Sequence, residues 1–154
     1  MYSVTKVIHF CYGHRLLRYR GKCRYLHGHN GTLEIELFSP TLDRLGMVRD
    51  FGEIKEKIQG WIDANLDHKM VLCEDDPVLP ALRKMKEPLF VMDTNPTAEA
   101  IAKLIYQAAK RLGLPVRAVR LWETDRSSAT YHPVARYRNP MARSTPPGGV
   151  APQH

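Results

Sequence analysis

Cysteine is scarce in this chain. Cys11, Cys23 and Cys73 are three, an odd number, so no complete disulfide framework is available. A reduced, cytoplasmic thiol set is the simpler expectation. No stretch approaches the roughly 20 apolar residues that a membrane span requires, and no membrane partner is expected. Met1–Lys6 lacks a basic region followed by a long apolar run, so no signal peptide is expected either. Internal repeats and domain linkers are absent. From Asn139 to His154 there is no acidic residue, and Pro, Gly and Ala dominate. Such a segment buries too little to order itself, so 139–154 is expected to be a disordered tail and 1–138 a single domain. A chain of 154 residues, 44% hydrophobic and 25% charged, can bury a substantial core without staples.

What is present is concentrated chemistry. Cys23-Arg24-Tyr25-Leu26-His27-Gly28-His29 brings a thiol and two imidazoles together, and His14 lies a short loop upstream. Three imidazoles suit a catalytic metal site, because zinc there takes three protein ligands and leaves a fourth position open. The following residues, Asn30 to Leu37, alternate apolar and polar and read as a strand. Extended back through Gly28, period two places His27 and His29 on one face, in phase with Leu33, Ile35 and Leu37.

The net charge of +7 points to an acidic partner, either nucleic acid or a phosphorylated small molecule. Arg15, Arg18, Arg20, Lys22 and Arg24 crowd the loop between His14 and His27. Their position beside the reactive residues favours a small polyanion. Arg136, Arg138 and Arg143 in the tail read as a solvated face.

Strands are expected at 2–10, near 28–38, 116–124 and 129–137, with 11–26 as a loop. Met47-Val48-Arg49 resembles the start of a short return strand. Asp50-Phe51-Gly52-Glu53 has the form of a helix start, and Ile54, Ile58, Trp61, Ile62 and Leu66 recur at helical spacing. That helix delivers Asp67 and His68 at its C-terminal end. Pro77, Pro80 and Pro88 argue against a helix in 73–92, where Leu89-Phe90-Val91 suits a short strand. Asn95 as cap and Pro96 in the first turn open a second helix, whose buried face is Ile101, Leu104, Ile105, Ala108 and Leu112. Gly113 and Pro115 stop it. In the next strand Val119, Leu121 and Glu123 share a face, which puts a carboxylate in line with apolar neighbours. The expected architecture is α+β: a four-stranded antiparallel sheet with two helices on one face. Its two edges need cover, and edge-to-edge oligomerisation would supply it.

Six segments in this order carry a family resemblance. They are Phe10 to Leu16, Cys23 to His29, Gly46 to Phe51, Leu66-Asp67-His68, Asn95-Pro96-Thr97 and Glu123-Thr124. The chain resembles the 6-pyruvoyl-tetrahydropterin synthase family from about Lys6 to Tyr131. The three residues between Cys23 and His27 look like its bacterial 6-carboxy-5,6,7,8-tetrahydropterin synthase branch, since the pyruvoyl-forming enzymes carry a longer insertion. The resemblance implies the T-fold, in which subunit sheets join into a barrel with helices outside, as a trimer or hexamer. It implies conversion of 7,8-dihydroneopterin triphosphate to 6-carboxy-5,6,7,8-tetrahydropterin with release of acetaldehyde and triphosphate, an early step toward queuosine and related deazapurines.

On this reading Zn2+ sits on His14, His27 and His29 and polarises substrate oxygens. Cys23 is placed to act as base, since a thiol beside a metal or a cationic imidazole is suited to that task. Asp67 and His68 relay the proton. Glu123 resembles the family's pterin anchor, Thr97 joins the substrate contacts, and Arg15, Lys22 and Arg24 attract the triphosphate. Each role has a plainer rival. Cys23 could be a fourth zinc ligand, His68 a helix cap, and Glu123 an exposed strand residue paired with Arg120 or Arg117. Cys11 and Cys73 read as passive core thiols, and His9 and His132 are unassigned. Rival functions are the pyruvoyl-forming reaction, another side-chain cleavage of the same pterin, and a zinc-bearing nucleic-acid module. The last gives no role to Cys23, Asp67-His68 or Glu123, so no nucleic-acid partner is expected.

Overall fold

A computed structural model describes residues 1–134. The tail expected at 139–154, the tail arginines and the end of the strand expected at 129–137 lie outside the described residues. Strand β1 (Tyr2–His14) alternates with period two from Val4 onward: Ile8, Phe10, Tyr12 and His14 point inward, while Val7 and His9 are exposed. Strand β2 (His27–Ser39) mirrors it, with Gly31, Leu33, Ile35 and Leu37 inward. The two pair antiparallel over their whole length, from Tyr2 opposite Ser39 to His14 opposite His27. The hairpin is therefore longer than expected, and its connecting loop starts after His14 rather than at Cys11.

Helix α1 (Phe51–Asn65) is capped by the Asp50 carboxylate, which accepts from the Gly52 and Glu53 amides. Ile54, Ile58 and Ile62 are its buried stripe, one residue per turn. Glu53 does not reach back to close a reciprocal box. It pairs with Lys57 and Arg49 on the exposed side. Met47-Val48-Arg49 forms no strand, because the Asp43 carboxylate accepts from Leu45 and Met47 and winds this stretch into a turn. Gly46 completes that turn at a φ of +78°.

The four-stranded antiparallel expectation needs correction. The described residues form one six-stranded mixed sheet in the order β4-β3-β1-β2-β5-β6. Strand β3 (Lys69–Cys73) enters parallel to β1, and β4 (Leu89–Met92) parallel to β3. Between them lies a third helix, α2 (Leu79–Lys84). Pro80 does not break it, since Pro80 occupies the first turn, where a missing amide N–H has no intrahelical partner to lose. Val71, Leu72 and Cys73 are consecutively buried, so this strand has no alternation for a period-two reading to find.

Helix α3 (Ala98–Arg111), β5 (Val116–Thr124) and β6 (Ser127–Tyr131) complete the domain. Helices α1 and α3 cover the inward face of the sheet, where Ile58, Ile62, Ile101 and Ile105 join Leu33, Ile35, Val119 and Leu121 in one core. The other face is polar. It carries Thr5, Glu34, Glu36, Arg120 and Thr130 side by side, with Arg120 paired to Glu34 and Arg117 to Glu36. One face of the sheet is thus sealed by helices and the other stays open.

Candidate active site

The register of β1 and β2 assembles the imidazoles. His14 lies directly across from His27, and His29 across from Tyr12, all in the inward phase. One ligating nitrogen from each of His14, His27 and His29 comes within 4.8 Å of the others. His14 Nδ1 meets the Pro96 carbonyl at 2.7 Å, which assigns the proton to Nδ1 and leaves Nε2 as a bare acceptor. The Tyr25 carbonyl does the same for His27, again at 2.7 Å from Nδ1. His27 Nε2 is then buried without any hydrogen-bond partner, and His14 Nε2 faces His29 Nε2 at 3.2 Å. Buried lone pairs aimed at one point are costly unless a cation sits among them. Burial also holds the His14 pKa below its ordinary value, against the opposing pull of Pro96 and Glu123, so the ring is kept neutral as a ligand must be. The residues fit a divalent metal ion, with backbone carbonyls orienting two of the three ligands.

Asn95-Pro96-Thr97 divides three tasks among three residues. Thr97, rather than Asn95, caps α3 by accepting from the Ala100 amide. Pro96 supplies the carbonyl that orients His14. Asn95 ties down the cationic loop, accepting from the Leu17 amide at 2.8 Å and donating to the Leu17 carbonyl at 3.0 Å. Arg15 is engaged elsewhere than expected: its guanidinium grips the buried Asp76 carboxylate through two bonds. That guanidinium, outweighing the cost of burial, holds Asp76 below the usual carboxylate range. Lys22 and Arg24 stand on either side of Cys23 in a 3-10 turn, and Arg24 donates to the Tyr25 hydroxyl.

Cys23 opens into a cleft of about 310 Å³ together with His14, Tyr19, Thr97, Glu123 and Ser128. Its thiol is not among the converging metal-ligand atoms in the described residues. Glu123 reaches the same cleft in phase with Val119 and Leu121 on β5, as the alternation predicts, next to an irregularity in the β5–β6 pairing between Trp122 and Thr124. Its carboxylate is neither free nor paired with Arg120 or Arg117. Oε1 accepts from the Tyr12 hydroxyl at 3.1 Å and lies 3.6 Å from His14 Nε2.

Asp67 and His68 are elsewhere. Asp67 Oδ1 accepts from the Cys11 amide at 2.9 Å, and Oδ2 meets His68 Nδ1 at 2.8 Å. Neighbours in sequence face each other here because the helix has ended: His68 has a φ of +54°, a left-handed conformation rare outside glycine and asparagine. Its amide donates to the Cys11 carbonyl, so the ring is presented from the start of β3, beside β1, and does not cap α1. Burial pushes the Asp67 carboxyl up, but the Cys11 amide, His68 and Lys69 together hold it below its ordinary value. His68 lines a second opening, of about 480 Å³, with Cys11, Asn30, Met70 and Met85. Cys11 and Asn30 hold the outward phase of β1 and β2; Tyr12 and His29 also border this opening, whereas Cys23 and Glu123 do not. Cys11 is half-buried there and donates to Asn30, so it is no core thiol, whereas Cys73 is buried.

Sequence reasoning missed Tyr12, the Pro96 carbonyl and the Asn95 tether. Only Tyr12 left a signal, as an inward aromatic on the strand that ends in His14.

The family profile described as 6-pyruvoyl tetrahydropterin synthase matches residues 3–134. A protein of Rickettsia typhi named 6-carboxy-5,6,7,8-tetrahydropterin synthase is 42% identical over 66% of this chain and 75% of its own length. One of the same name from Aquifex aeolicus is 35% identical over 84% of this chain and 97% of its own. Among solved structures, an uncharacterized protein of Wolinella succinogenes matches with a TM-score of 0.71 at 28% identity, covering 85% of this chain and 97% of that one. The 6-pyruvoyl tetrahydropterin synthase of Caenorhabditis elegans matches with a TM-score of 0.64 at 22% identity, over 86% and 95%, a likeness of fold. No helix among the described residues is long and apolar enough to cross a membrane.

Proposed function

The chain belongs to the 6-pyruvoyl tetrahydropterin synthase family, and from that premise we propose that it acts as a 6-carboxy-5,6,7,8-tetrahydropterin synthase. It converts 7,8-dihydroneopterin triphosphate to the 6-carboxy product, releasing acetaldehyde and triphosphate. The observation that carries this reading is the meeting of His14, Cys23 and Glu123 in one cleft, with His27 and His29 converging on His14.

His14, His27 and His29 hold Zn2+, which when bound supplies a Lewis acid for the substrate's side-chain oxygens. The chain's own residues do the rest. Glu123 accepts hydrogen bonds from the ring N–H and amino groups and so orients the pterin. Cys23 stands beside the metal cleft and takes a proton from the side-chain carbon next to the polarised oxygen. Asp67 holds the His68 ring in one orientation for proton transfer, as a carboxylate does for an imidazole in other relays. Because His68 and Cys23 line different openings of one chain, the working pair comes from two subunits, and the enzyme is a homo-oligomer with sites between copies. Thr97, which lines the cleft, and Lys22 and Arg24, which flank Cys23, receive the triphosphate end. Arg15, engaged by Asp76, acts there by anchoring the loop. The protein is expected to work in the cytoplasm, in the pathway toward queuosine.

Incubating the purified protein with 7,8-dihydroneopterin triphosphate and analysing the products tests the assignment. A pterin bearing a carboxylate at ring position 6, with acetaldehyde in equal amount, is the expected result. A pyruvoyl product without acetaldehyde would move the chain to the other activity of the family.

A further inference from the structure

Tyr12 touches His14, His29 and Glu123, yet it is neither a ligand nor a nucleophile. It lies inward on β1, 3% exposed. Its ring centre is 5.3 Å from that of His14 and 5.8 Å from that of His29. A Cβ on Gly31 would come within 3.2 Å of the Tyr12 ring, so the bare backbone of Gly31 makes room for it. The hydroxyl donates to Glu123 Oε1 at 3.1 Å.

The position of Glu123 raises a question of coordination. Zinc bonds of roughly 2.0–2.2 Å in a tetrahedron separate neighbouring ligand atoms by about 3.3–3.6 Å. His14 Nε2 and His29 Nε2 already stand at 3.2 Å, close to the spacing of two such ligands. Glu123 Oε1 stands 3.6 Å from His14 Nε2, at the upper end of that spacing, but is not among the atoms that converge with all three imidazoles. A carboxylate this close to a three-histidine cation would close onto it as a fourth ligand unless something held it back, because Asp and Glu oxygens are themselves good zinc ligands. A closed four-ligand site is a structural site, with no position left for substrate.

We infer that Tyr12 is the restraint: its hydroxyl holds the Glu123 carboxylate off the metal, keeping the fourth coordination position open and the carboxylate free for the pterin ring. Tyr12 is therefore a positioning residue, acting through Glu123. Burial, reinforced by the neighbouring Glu123 charge, raises the phenol well above its ordinary pKa, so it remains an O–H donor throughout the working range. The inference rests on the proposed metal site and adds to it a reason why that site stays catalytic.

The test is Tyr12→Phe, which keeps the ring packing and removes only the donor. Zinc affinity, measured by competition with a chromogenic chelator, should rise about tenfold or more, the scale on which outer groups tune a metal site. The visible spectrum of the cobalt-loaded variant should change as a carboxylate joins the ion, and turnover should fall through kcat. Adding Glu123→Gln to Tyr12→Phe should return both the affinity and the spectrum to wild-type values. Glu123→Gln alone should leave zinc affinity unchanged, because Glu123 is no ligand while Tyr12 holds it. Unchanged or weaker zinc binding and an unchanged cobalt spectrum in Tyr12→Phe would overturn the inference and leave the metal site standing. So would metal loss in Glu123→Gln. Wild-type protein that binds no zinc would overturn the metal site and this inference together.

Discussion

The two openings beside β1 draw on neighbouring residues of the same strands, and they differ in what they present. On the helix-covered side, His14 faces a cleft with Cys23 and Glu123, and His27 and His29 converge on His14. On the open side, Cys11 and Asn30 face a larger opening with His68, which Asp67 holds by hydrogen bond. The first is ordered by backbone carbonyls that aim buried nitrogens at a point. The second rests on a left-handed residue at the start of β3. On the proposed roles, a ligand set must be rigid to exclude wrong geometries, whereas a proton relay needs one ring, oriented and accessible. The β1–β2 pair supplies the imidazoles of the first, while the turn between α1 and β3 supplies the ring of the second.

The largest expected effect sets the openings apart by metal content. His27→Ala and His29→Ala should lose nearly all bound zinc, measured by metal analysis after gel filtration, while His68→Ala keeps it. Retention of zinc in both of the first two variants would sink the ligand assignment.

Next comes the anchor of the loop above the first cleft. Asp76→Asn leaves the Arg15 guanidinium without its partner and should cost about 3 kcal/mol of stability in urea unfolding, the low end for breaking a buried pair because Arg15 keeps some contact with water. The Asp76 carboxyl is held below its ordinary pKa, so its contribution is complete above about pH 4 and fades as pH falls through the lower folded-state value. The wild type should therefore lose its advantage over Asp76→Asn only in that acid range. A constant difference down to the most acid pH tested would refute the linkage.

Across the two openings the comparison becomes kinetic. Cys23→Ala and His68→Ala should each lose roughly a hundredfold in turnover, about 2.7 kcal/mol. Co-refolding the two inactive variants should restore activity, because some interfaces then join an intact thiol to an intact dyad. No recovery in a mixture shown by mass to contain hybrid oligomers would place both groups in one subunit. The smallest effect is on strain. His68→Gly relieves a left-handed backbone and should stabilise the fold by about 1 kcal/mol while turnover falls as in His68→Ala. Destabilisation instead would mean that the ring serves packing.

Much of this was legible in sequence because it is local. The phase of His27 and His29 follows from the alternation of Leu33, Ile35 and Leu37, and the structure keeps that phase. The stripes of α1 and α3 are likewise properties of one segment. The errors cluster where local signals fail. Val71-Leu72-Cys73 is apolar on both sides, and Pro80 looks like a breaker until its place in the first turn is known. Asp67 and His68 follow the end of α1 as expected, but the left-handed φ at His68 that lets the two side chains meet has no local signal.

The sequence by itself determined the strand and helix stripes, the family and the set of reactive side chains, since periodicity and residue type are written along the chain. Tertiary structure alone decided which of those side chains meet. The antiparallel register put His14 opposite His27, the Pro96 carbonyl 82 residues away chose the His14 tautomer, and the pairing of β2 with β5 brought Glu123 to Tyr12. Register, tautomer and strand pairing depend on contacts between distant segments. Those contacts acquire definite geometry only when the apolar face common to β1, β2 and β5 is buried beneath α1 and α3.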